Sequence, residues 1–277
     1  MPTDPRPSHF RTSFDQVAEE YDAARPGYPP ALIDDIVALA ALPSPASILE
    51  IGCGTGQATQ PFAERGDHML CLDIGAAMLA VARRKFASYP HVAFHHGAFE
   101  EWPTQAGAFD LVMAATAFHW IPAELGYPKA AAALKPTGSL AIFAHEHMPL
   151  DPAFAADLHA IEQDLAPDWP DPRNPPDLAA SIAAAAAAID ATGLFAPTVA
   201  RTYPWARSYA ADEFVRLHNT FSNYRSLNDA TRAEIFRAIA DLIERRYAGT
   251  VTKSYLAVLY LARKRKCAFS AGLRAWE

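Results

Sequence analysis

The 277 residues read as an α/β protein built on a doubly wound, mostly parallel sheet. Three observations lead there. From Ile48 onward short apolar runs alternate with stretches of helical periodicity, and that alternation makes a parallel sheet covered on both faces. The first run, Ile48-Leu-Glu-Ile51, enters three glycines at alternate positions, Gly52, Gly54 and Gly56, with a helical pattern directly behind them. Asp73 follows Gly52 by 21 residues, at the end of the next apolar run. In doubly wound sheets that position holds a carboxylate for a ribose diol.

The elements follow in order. Phe14, Val17 and Tyr21 stand at helical spacing in an opening segment that Arg25-Pro-Gly-Tyr-Pro-Pro30 interrupts. Pro29-Pro30 then opens a helix with Leu32, Ile36 and Leu39 on one face. Strands are expected near 47–51, 68–72, 92–95, 109–115 and 138–144, with helices near 57–65, 76–87 and 123–134. Gly66 stands where a helix C-cap belongs, and Lys135-Pro-Thr-Gly138 reads as a turn. Seven prolines between Pro149 and Pro176 make that stretch mostly loop, with one helix near 153–165. An alanine-rich helix over 177–192 ends at Gly193, and a strand is expected at 197–204. A polar helical stretch runs from Asp212 to Arg246, before a β-branched and aromatic run from Thr250 through Leu261.

Composition narrows the class. With 51% hydrophobic and 20% charged residues the chain is neither disordered nor collagenous. A net charge of −7 speaks against a partner built of nucleic-acid phosphates. Cys53, Cys71 and Cys267 are too few and scattered for a disulfide framework or a cysteine-rich zinc site. The first residues lack a secretory apolar core, and the longest uncharged apolar run, Ile182 to Ile189, falls far short of the roughly 20 residues that span a bilayer. The expectation is a cytoplasmic protein with no membrane and no nucleic-acid partner, as a monomer or homodimer.

The glycine loop decides the ligand class. Glycines let the chain turn sharply and let a ligand approach backbone that carries no Cβ. The dinucleotide pattern is G-x-G-x-x-G, yet Gln57 stands where its third glycine belongs, and Glu50 precedes the first glycine by two residues. Glu50-x-Gly-x-Gly-x-Gly resembles motif I of the class I S-adenosylmethionine-dependent methyltransferases. Leu72-Asp73-Ile74-Gly75-Ala-Ala-Met78 resembles the second motif, where the likeness implies that Asp73 takes the ribose hydroxyls and Met78 packs on the adenine. Gly97-Ala98-Phe99-Glu100-Glu101-Trp102-Pro103 resembles the adenine-edge segment, with alanine at position 98 where the family often has aspartate. Phe109 to Trp120 and Leu134 to Leu140 resemble the fourth and fifth motifs, so the likeness covers 48–144. The implied architecture is a Rossmann-like sheet of seven strands, the last antiparallel.

Two further segments resemble the small-molecule, trans-aconitate methyltransferase-like group: Phe14 through Tyr28-Pro29, and His119-Trp120 after the fourth strand. The regions implied are an N-terminal lid at 1–30 and an S-adenosylmethionine-binding core at 31–145. A mostly helical cap at 146–250 includes the penultimate strand, the last core strand lies at 251–266, and 267–277 is a tail. Expected cofactor contacts are Glu50, Gly52, Cys53, Gly54, Gly56, Asp73, Ile74, Met78, Ala98, Phe99, Ala115 and Arg25. Trp169, Trp205, Phe221 and Tyr224 are expected as apolar walls of an acceptor pocket.

Methyl transfer is an in-line displacement in which the protein aligns the partners and, where needed, removes a proton. His119, Trp120 and Tyr21 are the candidates at the acceptor. His119 serves as general base or only orients the acceptor. Tyr21 and Arg25 clamp a carboxylate, of the cofactor or of an acidic substrate, or form a structural clasp. Other constellations are weaker: His145-Glu-His147 lacks a third metal ligand, His95-His96 point to opposite faces, and Cys53 reads as filler behind the loop. The alternatives are a non-catalytic cofactor-binding protein and a nucleic-acid methyltransferase. The latter lacks its Asn/Asp-Pro-Pro-aromatic loop, since Ala115-Thr116-Ala117-Phe118 stands there.

Overall fold

In the computed structural model the described residues are 15, 17–167 and 177–265; Phe14, Trp169 and the tail lie outside them. Seven strands form one sheet in the order β3-β2-β1-β4-β5-β7-β6. They are β1 (Ser47–Ile51), β2 (His68–Asp73), β3 (Val92–His96), β4 (Phe109–Ala115), β5 (Leu134–His147), β6 (Val199–Ala210) and β7 (Thr250–Arg263). The pairs among β1 to β5 are parallel, and β7 runs antiparallel to both β5 and β6.

Helices cover both faces. On one face α2 (Pro30–Ala40), α3 (Thr59–Glu64) and α4 (Ala76–Lys85) bury Leu32, Ile36, Phe62 and Leu79 against Ile48, Met113 and Phe143. On the other, α5 (Ala123–Ala133) and α7 (Leu178–Ala191) bury Tyr127 and Ile189 against Leu49, Val112 and Tyr260. Residues 48 and 49 thus serve opposite faces, the period-two alternation of a strand buried on both sides. A third cluster lies beyond the sheet. There α6 (Pro152–Leu165), α8 (Ala211–Asn219), the single turn α9 (Ser222–Arg225) and α10 (Asp229–Arg246) bury Phe154, Phe214, Ile235 and Ile239 against Tyr209 and Tyr255. Ahead of all these, α1 (Ala18–Ala24) lies across α4 and α8.

The early strands fall where the sequence puts them, and the later ones run longer. β5 leaves α5 directly at Leu134, and 135–138 form no separate turn. Leu134 pairs with Phe109 and Ser139 with Leu111, so the extra residues are absorbed as an irregularity within the strand. β6 continues past position 204 to Ala210, because 205–210 pair with 250–255 of β7 in a two-stranded extension. The polar stretch 212–246 is three helices, broken at Thr220-Phe221 and at Ser226-Leu227-Asn228.

Candidate functional site

The chain runs β1, β2, β3 outward in one direction and then crosses to β4 and β5 on the other side of β1. Doubly wound sheets open a crevice at such a reversal, at the carboxyl ends of the strands. A cavity of about 440 Å³ lies there, with Ile51, Leu72 and Ala115 from the ends of β1, β2 and β4 in its wall.

The glycine loop forms its floor. Gly52, Gly54 and Gly56 all have positive φ, of 69°, 56° and 93°. Gly52 is packed so closely that an added Cβ would stand 2.4 Å from the Ala117 Cβ, whereas one at Gly54 meets nothing nearer than the Tyr21 ring at 3.9 Å. Asp73 is fixed by two amides: Gly54 N–H donates to its Oδ2 at 2.8 Å and Gly75 N–H to its Oδ1 at 2.7 Å. The loop and the acidic residue are thereby one unit, as charge-assisted bonds of this length favour.

Eleven of the residues expected from sequence meet at this cavity: Tyr21, Arg25, Gly52, Gly54, Asp73, Ile74, Met78, Phe99, Ala115, His119 and Trp120. Four do not line it. An added Cβ at Gly56 would stand 2.3 Å from the Phe86 ring, so this glycine serves packing of the loop against α4. Ala98 is passed over in favour of its neighbours Gly97 and Phe99. Glu50 and Cys53 lie behind the loop, on a second cavity of about 80 Å³ shared with Tyr28, His145 and Tyr255. Of the expected cap walls Phe221 lines the main cavity, while Trp205 stacks on Tyr255 and Tyr224 is buried among the cap helices.

The second cavity holds two groups displaced from ordinary ionisation. Glu50 is fully buried; Thr59 Oγ1 donates to its Oε2 at 2.6 Å, and its Oε1 has no partner. Burial pushes its carboxyl up to about 8. His145 is stacked on Tyr28, with Nε2–H donating to Gly27 O at 3.0 Å and Nδ1 accepting from Trp205 Nε1 at 3.4 Å. Burial holds it down to about 4, so it is a neutral latch for the lid. His147 is paired on β5 with Tyr255, and the described residues contain no cluster of three metal-ligating side chains. The thiol of Cys53 is pushed well up by its buried neighbour Cys71 and by burial itself, which suits filler and not a nucleophile.

Arg25 ties the lid to the cap. Its Nε donates to Thr220 Oγ1 at 2.8 Å and its Nη2 to Thr220 O at 3.0 Å, while the guanidinium lies over the rings of Tyr21 and Phe221. Sequence reasoning missed several lining residues: Asp15, Gly75, Thr116, Ser222 and Asn223. Thr116 had a signal, since it directly follows the β4 end at the strand-order reversal. It holds φ 55°, a strained value for a β-branched residue, with its hydroxyl 2.9 Å from Tyr28 OH and its amide donating to Phe143 O.

Comparison with known proteins agrees with this geometry. Residues 48–138 match the family described as methyltransferase domain. A Mycobacterium tuberculosis protein named as an uncharacterized methyltransferase is 34% identical over 130 residues, 47% of this chain and 51% of the relative. A trans-aconitate 2-methyltransferase of Variovorax paradoxus is 35% identical over 111 residues, 39% of this chain and 42% of the relative. The chain spans about half the length of the curated relatives it matches. A candidate type II methyltransferase of Anaeromyxobacter dehalogenans superposes with a TM-score of 0.60 at 22% identity, over 87% of this chain and 97% of that one. Phosphoethanolamine N-methyltransferase 2 of Haemonchus contortus, solved with phosphomonomethylethanolamine and S-adenosylhomocysteine, gives 0.54 at 16% identity, over 92% of this chain and 60% of that one. These two likenesses are of fold.

Proposed function

We propose that this chain, whose residues 48–138 match a methyltransferase domain, is a class I enzyme that transfers the methyl group of S-adenosylmethionine to an oxygen or nitrogen of a small-molecule acceptor. The observation that carries the reading is Asp73, held at the cavity wall by the amides of Gly54 and Gly75, where a ribose diol would find its acceptor. The surroundings fit the rest of that cofactor. Met78 and Phe99 line the cavity beside Asp73 and offer apolar surface to an adenine. The unpartnered Oε1 of Glu50 is a buried acceptor of the kind an ammonium group satisfies.

S-adenosylmethionine supplies a methyl group already activated by its sulfonium, which leaves alignment and proton handling to the protein. On the acceptor side stand His119 and Trp120 from the turn after β4, with Phe221, Ser222 and Asn223 from the cap. A carboxylate-bearing acceptor is the first to try. Arg25 lines the cavity, and relatives of this chain include trans-aconitate 2-methyltransferases. A cavity of this size walled by lid and cap suits a small molecule and not a duplex, and a monomer or homodimer in the cytoplasm suffices for it.

Calorimetry with S-adenosylhomocysteine tests the reading. The wild-type chain should bind, and Asp73→Ala should weaken binding by roughly 1.5–3 kcal/mol. Tight binding of NADH with no response to S-adenosylhomocysteine would overturn the assignment, and labelled-methyl transfer screened over small acids, phenols and amines would identify the acceptor.

A further inference from the structure

The first turn of α4, which carries Met78 into the cavity, has no cap of its own. Its N-cap is Gly75, in an extended conformation (φ −86°, ψ 111°) and without a side chain to accept from the turn. The leading amides of a helix need an acceptor, ordinarily a Ser, Thr, Asp or Asn at that position. Here it comes from the lid. Asp15 Oδ1 accepts from Ala77 N at 2.7 Å and from Met78 N at 3.1 Å. It also occupies the room a side chain at 75 would need: a Cβ there would stand 2.8 Å from Asp15 Oδ1, 3.0 Å from Met78 Cγ and 3.2 Å from Asp73 Oδ1. An anionic cap is further favoured by the positive end of the helix dipole.

We infer that Asp15 is the N-cap of α4 supplied by the lid, a positioning residue that makes lid docking and the order of the Asp73 loop a single event. Two ion pairs hold the other end of the same contact, Glu19 with Arg84 and Asp22 with Lys85 at 2.9 Å. When the lid lifts, the amides of Ala77 and Met78 lose their acceptor, and the residues flanking Asp73 loosen with them. A ligand seated on Asp73 and Met78 therefore favours the docked lid, and the docked lid favours the ligand by the same factor. The identity of that ligand rests on the function proposed above; the cap does not.

Amide exchange in the unliganded chain reads the cap directly. Asp15→Ala should speed exchange at Ala77 and Met78 about fivefold, the usual worth of an N-cap acceptor. Adding Gly75→Ser to that variant should slow it again, since serine caps from its own position once the colliding carboxylate is gone. Gly75→Ser alone should displace the lid, seen as faster exchange across 18–24. Unchanged exchange at Ala77 and Met78 in Asp15→Ala, or a lid still protected in Gly75→Ser, would overturn the inference. Titration with S-adenosylhomocysteine separates positioning from direct contact. Affinity lost in Asp15→Ala and kept in Asp15→Asn, which retains an oxygen to cap Ala77 and Met78, supports it; a loss in both while Asp15→Asn keeps the exchange protection means that Asp15 touches the ligand itself, and overturns it. A chain that follows the exchange pattern yet ignores S-adenosylhomocysteine would remove the proposed cofactor and leave the coupling standing.

Discussion

Replacing Glu50 by glutamine should change how the stability of this protein depends on pH. Glu50 sits fully buried on β1, bonded by Thr59 Oγ1 on one oxygen and by nothing on the other. Burial moves its carboxyl from an ordinary 4.5 to about 8, with the nearby charge of Asp73 adding a smaller push. The folded chain therefore keeps the proton over a range in which the unfolded chain has lost it. The sign follows: no cost below pH 4.5, a cost that grows as pH rises towards 8, and a constant cost above. At about 1.36 kcal/mol per unit, this group makes the fold roughly 3 kcal/mol less stable at pH 8 than at pH 5. Glu50→Gln keeps the shape and an acceptor for Thr59 while removing the titration. Urea unfolding of both proteins at pH 5, 7 and 8 should show the difference moving in the variant's favour by roughly 3 kcal/mol across that range. Every other titrating group is common to both proteins and cancels. Parallel pH profiles would refute the reasoning, because Glu50 would then be ionised in the fold at neutral pH.

Two more outcomes are expected. His145, held down to about 4 by burial, contributes stability that is present above pH 6.5 and lost as pH falls towards 4. His145→Gln should remove an acid limb of about 2 kcal/mol between pH 7 and pH 5, and an unchanged acid limb in urea unfolding would count against it. If His119 acts on the acceptor as proposed, His119→Ala should cut turnover about 100-fold or more while S-adenosylhomocysteine affinity stays within about twofold. Affinity and turnover falling together would move His119 to the cofactor.

The parts legible in the sequence are those fixed by local chemistry. β1 enters the glycines where its apolar run ends, and Asp73 closes β2, because three positive-φ positions and a strand-end carboxylate require particular residue types. The length of β6 was not legible, although the run from Thr250 marked β7 closely. Residues 205–210 and 250–255 pair above the sheet only because Tyr209 and Tyr255 are buried under α8 and α10. The break at Thr220 likewise answers to tertiary demands. Its hydroxyl returns to Leu217 O at 2.6 Å and receives Arg25 from the lid, which frees Phe221 to turn into the cavity. Gly56 carries the family pattern yet misses the cavity, since a motif fixes backbone shape and not which of its residues faces a ligand, and Ala98, which departs from the pattern, misses it too. Asp15 left no mark at all, because its partners are the amides of Ala77 and Met78, far along the chain.

The pH behaviour and the lid meet at one wall. Near neutrality Glu50 is protonated and His145 is unprotonated, so the second cavity sets the Arg25 guanidinium against two neutral groups. Tyr28 joins them to the sheet: its ring stacks on His145 and its hydroxyl meets Thr116 at the end of β4. Protonating His145 would turn Nδ1 from an acceptor into a donor facing the Trp205 indole N–H, breaking the contact that ties β5 to β6 beside the lid. Ionising Glu50 would instead add a charge behind the glycine loop, where Oε1 has no donor to meet it. The first change disturbs the β5–β6 wall on which Tyr28 rests, and the second strains the floor. Each change acts on its own side of neutrality, His145 on the acid side and Glu50 on the alkaline side, and an ammonium placed at Glu50 would stabilise its ionised form by supplying the missing donor.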